Sequence, residues 1–204
     1  MPGPLINSSV GSPGIDSAIT IRSIGDEIRS QVSTIRNSIP NVDKISVLHI
    51  GREETAVAVG NGFEPVAILV LAIGSQKTAR EYFKHTPPTP LELENAIQTV
   101  EDEIACARTL IPDGSGLYTT DAAVREVAML SGAKESPEMI LSLEAVEQTF
   151  DRMASVTLGT PVSHAGLPES IEFAAMLLIL REFMHHMKIV SIICVNLVKT
   201  VTQA

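Results

Sequence analysis

Ile45-Ser46-Val47-Leu48-His49-Ile50-Gly51-Arg52-Glu53-Glu54-Thr55-Ala56-Val57-Ala58-Val59-Gly60-Asn61-Gly62, continued by the apolar run from Pro65 to Ile73, decides the fold class. Runs rich in β-branched residues at 45–50, 55–59 and 65–73 are separated by turn residues at Gly51 and at Gly60-Asn61-Gly62, which predicts three strands. The second turn is short enough to make its two strands an antiparallel hairpin. Downstream, Ser75 to Phe83 reads as a short helix that stops ahead of Pro87-Pro88, because a residue before proline is pushed out of the helical region.

Thr89-Pro90-Leu91-Glu92 starts a long helix twice over, by a Thr-x-x-Glu capping box and by proline at the first helical position. Leu93, Ile97, Val100, Ile104 and Ala107 form its apolar stripe, and Pro112-Asp113-Gly114 closes it. This helix is expected to pack across the sheet. Gly116 to Tyr118 predicts a short strand. Thr119, Thr120 and Asp121 are N-cap residues for a helix to about Leu130. Further helices are expected from near Ser142 to about Ser155 and from Pro168 to about Met187, and Ile189 to Val195 reads as a buried strand. The expected class is α/β: a mixed sheet with an antiparallel three-strand start, then α/β alternation, with helices packed on it. Residues 1–17, rich in Pro, Gly and Ser, are expected to be a flexible lead and 18–204 a single domain. The alternation of Ile19 and Ile21 assigns the segment before Lys44 to that domain.

With 204 residues, 45% of them hydrophobic but only 3% aromatic, the chain can bury one core built from aliphatic side chains, as strands covered on both faces require. The longest apolar run, Phe173 to Leu180, meets Arg181 and Glu182 well short of the roughly 18 to 20 residues that cross a bilayer, so no membrane partner is expected. The N-terminus lacks the basic start and apolar core of a secretory signal. Cys106 and Cys194 are expected to be small buried residues rather than a bridge, which suits a reducing cytoplasm. A net charge of −9 argues against nucleic acid as a general partner. The charge is uneven, however. Arg22, Arg29, Arg36, Lys44, Arg52, Lys77, Arg80 and Lys84 outweigh the acidic residues of the first half, whereas 90–175 is strongly acidic. A compact polyanion would meet the first half; otherwise both sets are solvated faces.

Two stretches in this order, Ile19-Thr20-Ile21-Arg22-Ser23-Ile24-Gly25-Asp26-Glu27-Ile28-Arg29 and Val47-Leu48-His49-Ile50-Gly51-Arg52-Glu53-Glu54-Thr55-Ala56-Val57, resemble the second lobe of the exopolyphosphatase / guanosine pentaphosphate phosphatase (Ppx/GppA) family. The first corresponds to a strand ending in Gly and a Glu-Glu-Ala-Arg-like helix start, the second to a strand ending in Asp-Ile-Gly-Gly-Gly-Ser-Thr-Glu. Gly62-Phe63-Glu64-Pro65, Ile73-Gly74-Ser75 and Ala165-Gly166-Leu167-Pro168 fall at further landmarks, so the resemblance runs from about Ala18 to Val195. It implies an RNase H-like, actin-like ATPase domain, a phosphoanhydride hydrolase activity on polyphosphate or guanosine pentaphosphate, magnesium as cofactor, and a first lobe that this sequence does not contain. A homodimer or a separate first-lobe chain would then be the partner.

Hydrolysis of a phosphoanhydride needs backbone N–H groups around the phosphate, charge to neutralise it, and a carboxylate to position water. By resemblance Glu27 is the water-orienting carboxylate with Asp26 second, Gly51, Arg52, Thr55, Thr119 and Thr120 hold phosphate, and His49 stands at the metal position. The sequence departs from the family pattern there. Arg52, Glu53 and Glu54 replace the glycines and serine of the loop, His49 replaces an Asp although magnesium prefers oxygen, and Ala56 replaces a Glu. Two added carboxylates should repel phosphate, so the isolated chain is expected to be inactive; the alternative function is a noncatalytic binding or regulatory domain that keeps the fold. Without the resemblance, Asp26 and Glu27 are read as acidic residues favouring a helix N-terminus. His185 and His186 point about 100° apart on a helix with no ligand at i+4, so they are expected to stabilise its C-terminal dipole rather than bind metal. His85 and His164 show no ligand spacing, and no elbow motif supports a Ser/His/Asp triad.

Overall fold

A computed structural model describes residues 23–112 and 114–196. The expected lead, the alternation at Ile19 and Ile21, Arg22, and Asp113 lie outside the described residues. The predicted meander is present: β1 (Ile45–Ile50), β2 (Thr55–Gly60) and β3 (Ala67–Leu71) pair antiparallel in sequence order. β4 (Gly116–Thr119) lies parallel to β1, and β6 (Ser191–Val195) parallel to β4. β5 (Glu138–Ser142), which the sequence reading did not contain, closes the far edge antiparallel to β6, giving a six-stranded mixed sheet of order β3-β2-β1-β4-β6-β5.

The period of two along a strand divides the core between the faces of this sheet. On one side Ile45, Val47, Ala56 and Ala58 meet Ile28, Val32 and Ile35 of α1 (Ile24–Ser38). On the other, Leu48, Ile50, Val57, Leu117 and Ile192 lie under a helical layer built from α2 (Ser75–Tyr82), α3 (Pro90–Ala105), α4 (Ala122–Leu130), α5 (Leu143–Thr157) and α7 (Ile171–His186), with the single turn α6 (Val162–Ala165) beside α5. The centre of that layer is α7. Its run Phe173 to Leu180 is buried without interruption, as a helix apolar on all sides must be.

Several expectations are corrected. The segment read as a strand running to Gly25 is already helical at Ile24, because Ser23 and Asp26 form a reciprocal capping box that starts α1 there. The Thr89/Glu92 box starts α3 as expected, but α3 packs mainly on α7 and α2 instead of across the sheet, since α7 already fills the groove above the strands. Glu92 also accepts from the Lys84 amide and from His85, and these bonds, the Thr89 amide first among them, hold its carboxyl at about 2. Arg36, counted above among surface charges, is buried at 4% exposure and donates to the carbonyls of Val42, Asp43, Gly60 and Gly62.

Cys106, expected to be buried, caps the end of α3 and is exposed, whereas Cys194 is buried in β6 and burial pushes its thiol up to about 12. Only a thiolate reacts with a disulfide reagent. The native protein is therefore expected to release one equivalent of chromophore from an aromatic disulfide reagent promptly and the second only on unfolding; fast release of both would show Cys194 to be accessible.

Candidate functional site

The alternation that places Ile45 and Val47 beneath α1 carries His49 onto the same side, near the carboxyl end of β1. Glu27 and Gln31, one turn apart on α1, face it. His49 Nε2 lies 2.9 Å from Glu27 Oε2, and Nδ1 lies 2.7 Å from Asp121 Oδ1 and 2.8 Å from Gln31 Nε2. Gln31 Nε2 donates to the same Asp121 oxygen at 2.8 Å, while its Oε1 faces the Thr120 amide at 3.4 Å. Asp121 Oδ2 accepts from the Ile50 amide at 2.7 Å. Asp121 sits at the N-cap position of α4 but makes no side-chain cap; its carboxylate turns to β1 and ties the ends of β1 and β4 together. Its own amide donates to Thr119 Oγ1 at 3.0 Å.

An ionised carboxylate only accepts, so each carboxylate favours an N–H on the ring nitrogen that it faces, while the Gln31 amide nitrogen, a donor, also approaches Nδ1. Burial is the largest single influence on His49 and pulls its pKa down, yet the hydrogen bonds and charges of Asp121 and then Glu27 together outweigh it and raise the value above the usual imidazole range. The cluster thus holds one imidazole between two carboxylates, which favour its protonated form, at the mouth of the β1/β4 pair.

The loop after β1 is engaged in the same way. The Gly51 amide donates to Glu54 O at 2.9 Å, and a Cβ at Gly51 would lie 2.7 Å from that oxygen, so the turn demands glycine. Gly51 O accepts from the Ser75 amide and Arg52 O from the Gln76 and Lys77 amides, so loop carbonyls take up the N-terminal N–H groups of α2. Gly74 permits this approach, since a Cβ there would lie 2.5 Å from Glu53 C. Glu53 points outward to α2, where Arg80 binds both of its oxygens at 3.0 and 2.9 Å and holds the carboxyl below its ordinary range.

Of the residues singled out by resemblance, Glu27, His49, Thr119 and Thr120 are brought together. Gly51 and Arg52 follow directly, with the Arg52 side chain exposed. Asp26 is spent on the α1 cap, and Thr55 is fully buried with its hydroxyl turned away from solvent. Gln31 was missed, though its spacing from Glu27 marks it. Asp121 was noted only as a cap. Magnesium does not fit this donor set: the metal position holds an imidazole, a nitrogen ligand, and its two nitrogens already engage both carboxylates that would have to supply oxygens.

No family model and no curated protein matches the sequence. Solved structures do match. The PPX-GPPA enzyme of Aquifex aeolicus superposes with a TM-score of 0.68 at 15% identity, over 82% of this chain and 58% of that one. The chain has the Ppx/GppA fold. An exopolyphosphatase-like protein matches at TM-score 0.63 and 16% identity over 83% of this chain and 62% of its own. An exopolyphosphatase from Cytophaga hutchinsonii matches at TM-score 0.58 and 13% identity, over 81% and 57%. The chain therefore spans less than two thirds of each of these Ppx/GppA structures. No described helix is long and apolar enough to cross a membrane.

Proposed function

We propose that this chain is a Ppx/GppA-type lobe that does not hydrolyse phosphoanhydrides by itself, a noncatalytic domain that keeps the fold. The observation that carries this reading is the His49 ring held between Glu27 and Asp121. In a phosphohydrolase of this fold the water-orienting carboxylate must be open to water and a neighbouring carboxylate to a metal ion. Here one ring nitrogen occupies each.

The phosphate cradle is similarly taken up. The Gly51 amide is bonded to Glu54 O, and the carbonyls of Gly51 and Arg52 are bonded to the first amides of α2, so the backbone of the loop is engaged within the protein. Glu53 is neutralised by Arg80, so repulsion from that side chain is weaker than the sequence suggests; loss of the cradle matters more. Positioning is the main source of phosphoryl-transfer catalysis, and it needs a cleft with two walls. The chain spans 58% of the Aquifex aeolicus structure, and a homodimer or a first-lobe chain is the partner we propose to complete a cleft.

The test is phosphate release from long-chain polyphosphate and from guanosine pentaphosphate by the purified chain with magnesium. None above the blank is expected. Turnover abolished by Glu27→Gln would overturn the reading and return the chain to the hydrolases, as cytoplasmic enzymes of that family. Restoring Asp at His49, Gly at Arg52 and Glu53, and Ser at Glu54 is expected to raise polyphosphate binding from that baseline.

A further inference from the structure

Glu182 is unusual among the buried residues of α7. Its side chain is 1% exposed in the middle of the helical layer, where an ionised carboxylate is costly unless its oxygens are matched. Oε1 is bonded by Arg181, whose guanidinium also lies 4.9 Å above the Phe150 ring. Oε2 faces His186 Nε2 at 3.5 Å, one turn further along α7, and the same nitrogen stands 3.4 Å from Glu101 Oε1 on α3. Neither approach has hydrogen-bond geometry: His186 Nε2 is buried and without a hydrogen-bond partner. A nitrogen aimed between two carboxylate oxygens and aligned with neither is what a ligand set looks like around a missing centre. The expectation that His186 has no ligand neighbour looked forward along the helix; the neighbour lies four residues back.

We propose that Glu101, Glu182 and His186 form a binding site for a divalent first-row transition ion, zinc in the first instance. The three ligand atoms lie within 4.8 Å of one another. A tetrahedral zinc ion with bonds of about 2.0 to 2.1 Å separates neighbouring ligand atoms by roughly 3.3 to 3.4 Å. The two separations at His186, 3.4 and 3.5 Å, already have that span. One imidazole nitrogen with two carboxylate oxygens suits zinc better than magnesium or calcium, which take oxygen alone. Arg181 on Oε1 fixes the Glu182 carboxylate so that Oε2 is the oxygen offered to the ion, the supporting bond that ligating carboxylates ordinarily have.

Arg108 opposes the ion. Its Nη2 lies 3.0 Å from His186 Nδ1, and a guanidinium only donates, so Nδ1 accepts and the ring proton sits on Nε2. To bind zinc the ring must move that proton to Nδ1 and release Arg108, which is exposed and lines, with His186, a cleft of about 600 Å³. The site is therefore gated by one arginine. It lies near Gly116 and Ser191, where β4 and β6 begin, at the opposite end of the sheet from His49, and does not depend on the proposed loss of hydrolysis.

Calorimetric titration of zinc chloride into the tag-free, chelator-stripped full chain tests this. One equivalent is expected to bind, and cobalt is expected to give the visible ligand-field absorption of a tetrahedral site. His186→Ala and Glu101→Gln should each weaken zinc by more than about 100-fold, beyond what loss of a merely supporting residue costs. Glu101 is on the outer helix and partly exposed, so that variant reads out binding without disturbing the core. Arg108→Ala should tighten zinc, an effect that a purely structural ion network would not produce. His49→Asn should keep the full equivalent. Absence of stoichiometric uptake, or uptake lost in His49→Asn and retained in His186→Ala, would overturn the proposal.

Discussion

Arg36→Ala is expected to lower the unfolding free energy by about 3 kcal/mol, read as a fall in the urea midpoint at unchanged slope. The guanidinium leaves the last turn of α1 and reaches four carbonyls: Val42 and Asp43 in the connection to β1, and Gly60 and Gly62 in the β2–β3 turn. A hydrogen bond from a charged donor contributes roughly 1.5 to 3 kcal/mol, but these four share one side chain and the freed carbonyls can partly reach water, so they do not add. Of a total stability of roughly 5 to 15 kcal/mol this is a large fraction. Arg36→Lys should recover only part of it, because an ammonium cannot present the planar fork that reaches both turns at once. Equal stability of the alanine and native chains would show the contacts to be replaceable by water. By contrast Arg80 and Glu53, equally well aligned but exposed, contribute little.

How much of this could be read from the sequence follows from how local each determinant is. The meander was legible because Ile45 to Val59 alternates against its own turns, and α3 because Thr89 and Glu92 satisfy each other within one turn. β5 was missed because only Met139 and Leu141 point inward while Ile140 is two-thirds exposed, too short an alternation to stand out beside Pro137. The start of α1 was legible in Ser23-x-x-Asp26, but the apolar pattern upstream drew the strand reading past it. In the site, the Glu27 to Gln31 spacing was available. The bond from Asp121 to the Ile50 amide joins residues 71 apart, and the spent α2 amides are bonded to a loop across a turn of backbone. No local pattern records either contact, and they are what separates a satisfied cluster from an open phosphate site.

Asp121→Ala tests that cluster and is expected to cost about 3 to 5 kcal/mol, the range for removing one partner of a buried charge pair. Asp121 is 8% exposed at the side chain, and its loss strands the Ile50 amide and takes a partner from both the Gln31 amide nitrogen and His49 Nδ1. The same geometry sets a pH dependence. His49 has a folded pKa raised above its value in the unfolded chain, near 6.5, so the folded state binds the proton more tightly. Its contribution is fully present below about pH 6.5 and is lost as pH rises through the folded pKa. Urea unfolding from pH 5.5 to 9 should therefore show native stability declining above neutrality. His49→Gln should remove that decline while lowering stability at pH 6, where the imidazolium is favoured. In Asp121→Ala the pull of burial is opposed by Glu27 alone, so the decline should shift to lower pH as well as start from a less stable protein. A native chain whose stability is flat across this range, with His49→Gln indistinguishable from it, would mean that His49 is neutral between the two carboxylates, and the closed-site reading would lose its main support.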